Sequence, residues 1–118
     1  MFGTILEDIV NGVKGAKAVI VMGFDGIPLD TYNSAEADED IETIGMEFSV
    51  LLKEVKKAAE ALETGSATEM TVQTETMTTV LRIISEEYFL AVVVENGGNI
   101  GKARYLLRMS ISKLLEVL

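Results

Sequence analysis

The sequence contains no cysteine and no histidine, two residue types that often carry chemistry in proteins. Without cysteine the chain has no disulfide and no thiolate nucleophile. Without histidine it lacks the usual general base, the commonest metal ligand and every Ser–His or Cys–His pairing. We therefore expect a protein that is not an enzyme, with no catalytic residue, no cofactor and no metal site.

Long apolar runs are also missing. A membrane-spanning helix needs about 20 consecutive apolar residues, and no run in this sequence reaches that length. The first residues lack the basic region of a signal peptide. We expect a cytoplasmic protein that does not insert into a membrane.

Basic residues are scarce, because ten lysines and arginines face nineteen acidic residues and leave a net charge of −9. Such a charge repels phosphate backbones, so we expect no nucleic-acid partner. The 118 residues predict a single domain, residues 1–118, large enough to bury a core of its own.

The clearest structural signal is Tyr88–Val94, where seven consecutive residues are apolar or aromatic. The run is rich in β-branched residues and ends at the turn formers Asn96–Gly98. A strand without a polar side needs cover on both faces. The run therefore predicts the middle strand of a sheet that lies between two layers of helices.

The remaining patterns predict three helices and four further strands, in the order αββαβββα. Asp25-Gly26 predicts a hairpin turn with both residues at positive φ, and Pro28 predicts that the second strand lies at a sheet edge. Asp38 is the predicted N-cap of the long second helix, which runs to about Glu63. Asn99 is the predicted N-cap of the last helix. The predicted core stripe of that helix, widened by Leu106 and Leu115, is Ile100, Ala103, Leu107, Ile111, Leu114 and Leu118.

The long helix carries two groups of apolar residues. Met46 and Val50 fall opposite the main apolar stripe, beside Lys53 and Lys57. Single exposed apolar residues are common on proteins, but methionine suits adaptable interfaces. We therefore take these four residues as a candidate interface with a partner or a second copy. The main stripe is predicted to face the core and consists of Ile41, Ile44, Phe48, Leu51, Leu52, Val55, Ala59 and Leu62.

The threonine-rich strand Thr68–Glu75 is predicted at the sheet edge opposite the strand of Pro28. It has no proline and few charges, and open edges of this kind tend to pair with another chain. Pairing with its own copy would produce a two-fold homodimer with a continuous sheet. The predicted dimer edge comprises Met70, Thr71, Val72, Gln73 and Thr74.

Three other patterns could indicate functional sites, but we favour an ordinary structural explanation for each. Gly97–Ala103 lacks the spacing and the hydroxyl of a phosphate-binding loop, so it predicts a strand-to-helix turn. The acidic run Glu36–Glu42 lacks the spacing of a calcium loop and predicts a solvated loop. Arg82, Arg104 and Arg108 are candidates for an arginine finger on a GTPase, although surface arginines more often form ion pairs.

Nearly the whole chain resembles the roadblock/dynein light chain family. The resemblance is to the bacterial branch of this family, which contains regulators of Ras-like GTPases in gliding motility and cell polarity. It rests on Gly15–Tyr32, on Glu47-Phe48 and Leu51-Leu52 of the long helix, and on Tyr88–Glu95 followed by Gly101–Arg108.

The resemblance implies an α+β fold with a five-stranded antiparallel sheet of order 2-1-5-4-3. The long helix would lie on one face of this sheet and the terminal helices on the other. It implies a homodimer joined through the long helices and third strands, which binds and regulates a Ras-like small GTPase. Some members of the family activate GTP hydrolysis.

The resemblance leaves an alternative open. Met22–Gly26 and Gly101–Tyr105 look closest to small adaptor-type roadblock proteins that accompany the activating ones. The protein would then be an adaptor or scaffold that links another roadblock protein or a response regulator within a polarity complex. It would not act on the GTPase itself.

Overall fold

A computed structural model describes residues 2–118, and in this part of the chain the predicted element order αββαβββα is confirmed. No helix within these residues is both long and apolar enough to cross a bilayer. The elements are α1 (Phe2–Gly12), β1 (Ala16–Gly23), β2 (Pro28–Asn33), α2 (Ile41–Ala61), β3 (Glu69–Gln73), β4 (Met77–Ile83), β5 (Tyr88–Glu95) and α3 (Ile100–Val117).

The strands form one antiparallel sheet in the order β2-β1-β5-β4-β3, which confirms the order implied by the resemblance. β5 is the middle strand, and its Val92 pairs with Val19 of β1 and Val80 of β4. Residues 89–94 are fully buried. Pro28 lies in the edge strand β2, as predicted, and the β1–β2 register shifts where Pro28 pairs with Met22.

Two apolar cores cover the two faces of β5. On one face Val92 packs in a cluster with Leu6 of α1 and Leu107 of α3. On the other face Ala91 belongs to a cluster with Leu52 of α2. The central strand therefore has the cover on both sides that its uninterrupted apolar sequence requires.

The turn between β1 and β2 differs from the prediction. The Gly26 N–H donates to the Gly23 carbonyl, and the Gly23 N–H donates to the Ile27 carbonyl, both at 2.9 Å. The loop therefore has three residues, and a turn of this kind needs only its last residue in the left-handed region. Gly26 has φ of 86°, whereas Asp25 does not have positive φ and accepts a hydrogen bond from the Ile27 N–H at 3.0 Å.

Helix α2 begins two residues later than predicted, with Asp40 rather than Asp38 as the N-cap. The Asp40 carboxylate accepts hydrogen bonds from the Thr43 hydroxyl at 2.7 Å and from the Thr43 N–H at 3.2 Å. These bonds stabilise the charged form and lower the pKa of Asp40.

The buried face of α2 is rotated away from the predicted stripe. Leu51, Val55 and Leu62 were expected in the core but are 48%, 36% and 71% exposed. Small residues let the helix lie close to β1, since a Cβ on Gly45 would lie 3.2 Å from Met22 Cε. Only part of the predicted stripe therefore turns outward, and Phe48, its largest side chain, still packs against the core. The buried residues of α2 are Ile41, Gly45, Ser49 and Leu52.

Helix α3 starts at the predicted cap, because Asn99 Oδ1 accepts a hydrogen bond from the Lys102 N–H at 3.0 Å. Leu115 and Leu118, which the apolar stripe also assigned to the core, are 49% and 40% exposed. Leu115 lies about 100° around the helix from the buried Leu114. Leu118 follows the last helical residue.

Candidate protein-interaction surface

One side of α2 faces the half of the sheet that contains β3 and β4. Ile44 packs against the same apolar core as Met70 of β3 and Met77 of β4. Leu51 follows Ile44 by seven residues, which is close to two turns of an α-helix, and Val55 follows Leu51 by about one more turn. Leu51 and Val55 therefore lie on the side of α2 that borders β3 and β4.

Strands β3 and β4 present apolar side chains toward the same side. Met70 pairs with Leu81, whose side chain lies in the core beneath α2, so Met70 and Val72 are on the α2 face of the sheet. Met77 of β4 also packs against this core. Because α2 packs mainly on β1, the side chains of Met70, Val72 and Met77 are only partly covered.

Leu51, Val55 and the strand residues form one surface. Leu51 and Val55 are 48% and 36% exposed, and the partly covered residues of β3 and β4 adjoin them on the same face of the sheet. We call this the α2–β3 surface; its apolar residues are Leu51, Val55, Met70, Val72 and Met77.

Met46 and Val50, which the sequence suggested as interface residues, lie on the other side of α2. They are 52% and 57% exposed. Lys53 and Lys57 are exposed beside them, and the Lys57 ammonium forms an ion pair of 3.3 Å with Glu54. An apolar centre with a charged rim is the usual composition of a protein interface, so these four residues form a second candidate interface.

The other residues predicted for the dimer edge occupy two different places. Thr71 and Gln73 lie in β3 but point to the opposite face of the sheet. The prediction that Thr74 belongs to the strand is wrong, since its N–H donates to the Met77 carbonyl in the turn that follows. The side-chain amide of Asn96 holds this turn by donating to the Thr74 carbonyl at 3.0 Å.

Met77 and the exposure of Leu51 and Val55 were not identified from the sequence. Met77 precedes Leu81 by four residues on the same strand, so strand alternation alone would have placed it on the α2 face. Gly45 and Ser49 are the corresponding signal for α2, because small residues mark where a helix approaches a sheet closely.

The glycine-rich segment after β5 is a tight connection. Gly97 has φ of 93°, and a Cβ on Gly98 would lie 2.5 Å from the Lys14 carbonyl oxygen. The Asn99 N–H donates to the same carbonyl at 2.9 Å. These contacts explain the glycines by backbone geometry. Within residues 2–118, no group of three or more carboxylates is placed to hold a metal ion.

Comparison with known proteins identifies the family to which this fold belongs. The sequence model of the Roadblock/LC7 domain matches residues 3–94. The chain belongs to the Roadblock/LC7 family. A search of the curated proteins gave no match.

Among solved structures of this family, MglC from Myxococcus xanthus is 43% identical, with 99% of this chain and 98% of that chain aligned and a TM-score of 0.72. The gliding protein MglB from Thermus thermophilus is 17% identical, with coverage of 92% and 82% and a TM-score of 0.82. An MglB described in a tetrameric arrangement is 17% identical, with coverage of 98% and 85% and a TM-score of 0.87. These matches confirm the resemblance to the bacterial gliding branch of the Roadblock/LC7 family.

Proposed function

We propose that the protein is a non-enzymatic, homodimeric interaction module that binds and regulates a Ras-like small GTPase of the gliding and cell-polarity type. The observation that carries the proposal is the α2–β3 surface, where exposed apolar side chains of a helix adjoin an open strand edge. The family resemblance supports the GTPase as partner.

The dimer follows from the chemistry of the β3 edge. Within the described residues β3 pairs with β4 alone, so its other edge has unpaired backbone donors and acceptors. Pairing β3 with the β3 of a second copy satisfies these groups and joins the two sheets across a two-fold axis. The same contact covers Leu51 and Val55, so apolar burial and backbone pairing act together.

The GTPase would bind a different part of the dimer. Met46 and Val50 lie on the side of α2 away from β3, beside Lys53 and Lys57, so the dimer contact leaves them exposed. With no histidine or cysteine in the chain, regulation would act by positioning the switch residues of the GTPase rather than by supplying a nucleophile or a base.

A second candidate function is that of an adaptor that links another roadblock protein or a response regulator without acting on the GTPase. It is favoured by the 43% identity to MglC, compared with 17% identity to two MglB structures. The resemblance of Met22–Gly26 and Gly101–Tyr105 to adaptor-type members supports the same candidate.

One binding experiment separates the two candidates. The purified protein is mixed with the Ras-like GTPase of its source organism, loaded with GDP or with a GTP analogue, and with a second roadblock protein of that organism. Nucleotide-dependent binding together with faster GTP hydrolysis supports the regulator. Binding to the second roadblock protein without binding to the GTPase supports the adaptor.

Variants then locate the partner site. Met46→Glu with Val50→Glu should abolish partner binding while the protein stays dimeric. Partner binding that is unchanged in this variant would refute the assignment of this side of α2. Failure to bind either partner would refute both candidate functions.

A further inference from the structure

All three arginines of the chain line one groove, on the face of the sheet opposite α2. The groove has a volume of about 220 Å³ and none of the seven lysines lines it. It is formed where the start of β3 and the end of β4 meet the first turns of α3. The lining residues are Glu69, Arg82, Gly101, Arg104, Tyr105 and Arg108.

One arginine is already neutralised by a carboxylate of the chain itself. The Arg104 guanidinium donates to Glu69 through Nε at 3.1 Å and through Nη2 at 2.8 Å. This pair raises the pKa of Arg104. It also shows that a carboxylate fits the planar fork of a guanidinium at this position.

The other two arginines have no such partner. Within residues 2–118, neither Arg82 nor Arg108 forms an ion pair with a carboxylate. Arg82 lies opposite Glu69 in the strand register, but Glu69 directs its oxygens to Arg104. A protein with a net charge of −9 thus concentrates two unpaired guanidinium groups in one small groove.

We infer that this groove binds a carboxylate-rich peptide segment of a partner protein. Arg82 and Arg108 would each pair with an acidic side chain, because the guanidinium fork matches a carboxylate with two parallel hydrogen bonds. Tyr105 adds an exposed aromatic ring 5.7 Å from the Arg108 guanidinium. This ring provides contact area for an apolar side chain of the same segment.

The charge distribution favours a short acidic peptide over an extended polyanion. The nineteen acidic residues of the chain repel a nucleic acid or an anionic lipid surface that reaches beyond the groove. A segment with a few carboxylates interacts with the groove alone. The groove also lies on the α3 face, so a dimer that forms through α2 and the edge of β3 leaves it open.

The test is an NMR titration of the isotope-labelled full chain with a synthetic pentapeptide that has four glutamates around a central leucine. The control peptide has glutamine in place of each glutamate. We expect saturable shift changes centred on the backbone amides of Gly101 and Tyr105 with the glutamate peptide only. Absence of binding at millimolar peptide, or an equal response to the glutamine peptide, would overturn the proposal.

Three variants sharpen this test. Arg82→Gln with Arg108→Gln should weaken binding of the glutamate peptide at least tenfold, which is about 1.4 kcal/mol. Lys14→Gln with Lys113→Gln removes the same charge outside the groove and should leave the affinity unchanged. The proposal is overturned if the two double variants weaken binding equally.

The third variant tests the role of the internal ion pair. Glu69→Gln frees Arg104 for the peptide and should tighten binding several-fold. A groove that only stabilises the fold predicts no gain in affinity. Unchanged or weaker binding by this variant would therefore contradict the inference.

Discussion

Replacing Leu51 and Val55 with glutamate should separate the two protomers without unfolding either of them. The two side chains are 48% and 36% exposed, so the new charges stay in contact with water in the monomer. Full burial of a leucine or valine side chain is worth about 1.5–3 kcal/mol, so covering the exposed part is worth about 1 kcal/mol for each. A two-fold contact covers both residues on both protomers, which amounts to about 4 kcal/mol, or roughly a thousandfold in the dimer dissociation constant.

Sedimentation at micromolar concentration measures this change directly. The unmodified protein is expected at twice its chain mass of 12.8 kDa, and the variant with Leu51→Glu and Val55→Glu at the mass of one chain. Circular dichroism should show the same helix content for both. The matched control, Met46→Glu with Val50→Glu on the other side of α2, should remain dimeric. A single-chain mass for the unmodified protein, or an unchanged dissociation constant in the variant, would refute the reasoning.

Six further substitutions test the fold by urea denaturation. Leu52→Ala should cost about 2–5 kcal/mol because its side chain is fully buried, whereas Leu62→Ala, at a position 71% exposed, should change the free energy of unfolding by less than about 0.5 kcal/mol. Asn99→Ala should cost about 1 kcal/mol through loss of the α3 N-cap, and Asn99→Asp should retain most of that stability. Gly98→Ala should cost about 1–3 kcal/mol because its methyl group would lie 2.5 Å from a backbone carbonyl. The pKa of Asp40 is lower in the folded state than in the unfolded state. The contribution of Asp40 to the free energy of unfolding is therefore fully present above the unfolded pKa of about 3.9, and it is lost as the pH falls through the lower folded pKa. Asp40→Asn should remove this pH dependence of stability.

The element order and the middle strand could be predicted because their signals are local. The apolar run Tyr88–Val94 specifies a strand with two covered faces, whatever lies around it. Pro28 specifies an edge because it lacks an N–H, and Asn99 specifies a helix start through its own side chain. Each of these predictions depends on residues close together in the sequence, and the structure confirms each of them.

The wrong predictions concern distances between elements. Apolar periodicity on α2 admits more than one buried face, and it favoured the face with Leu51 and Val55. The face that packs is the one where Gly45 lets the helix approach Met22 of β1. The N-cap was misplaced for a similar reason, because several acidic residues precede α2 and only the geometry at Thr43 selects one of them.

The α2–β3 surface was predicted only in part. Met70 and Val72 were chosen for their place in an edge strand, whereas Leu51 and Val55 were expected in the core. Nothing in the sequence joined them, since the rest of α2 and a turn separate the two groups. The path of α2 across the sheet brings them together.

The sequence by itself determined which segments form the sheet, which strand lies in its middle and which types of chemistry the chain lacks, because composition and local periodicity are properties of neighbouring residues. Only the tertiary structure decided the rotation of α2, the union of Leu51 with Met70 in one surface, and the convergence of Arg82 with Arg104 and Arg108 in one groove. These features depend on how closely elements far apart in the chain can pack. That distance is set by the shapes of facing side chains, which the sequence order does not encode directly.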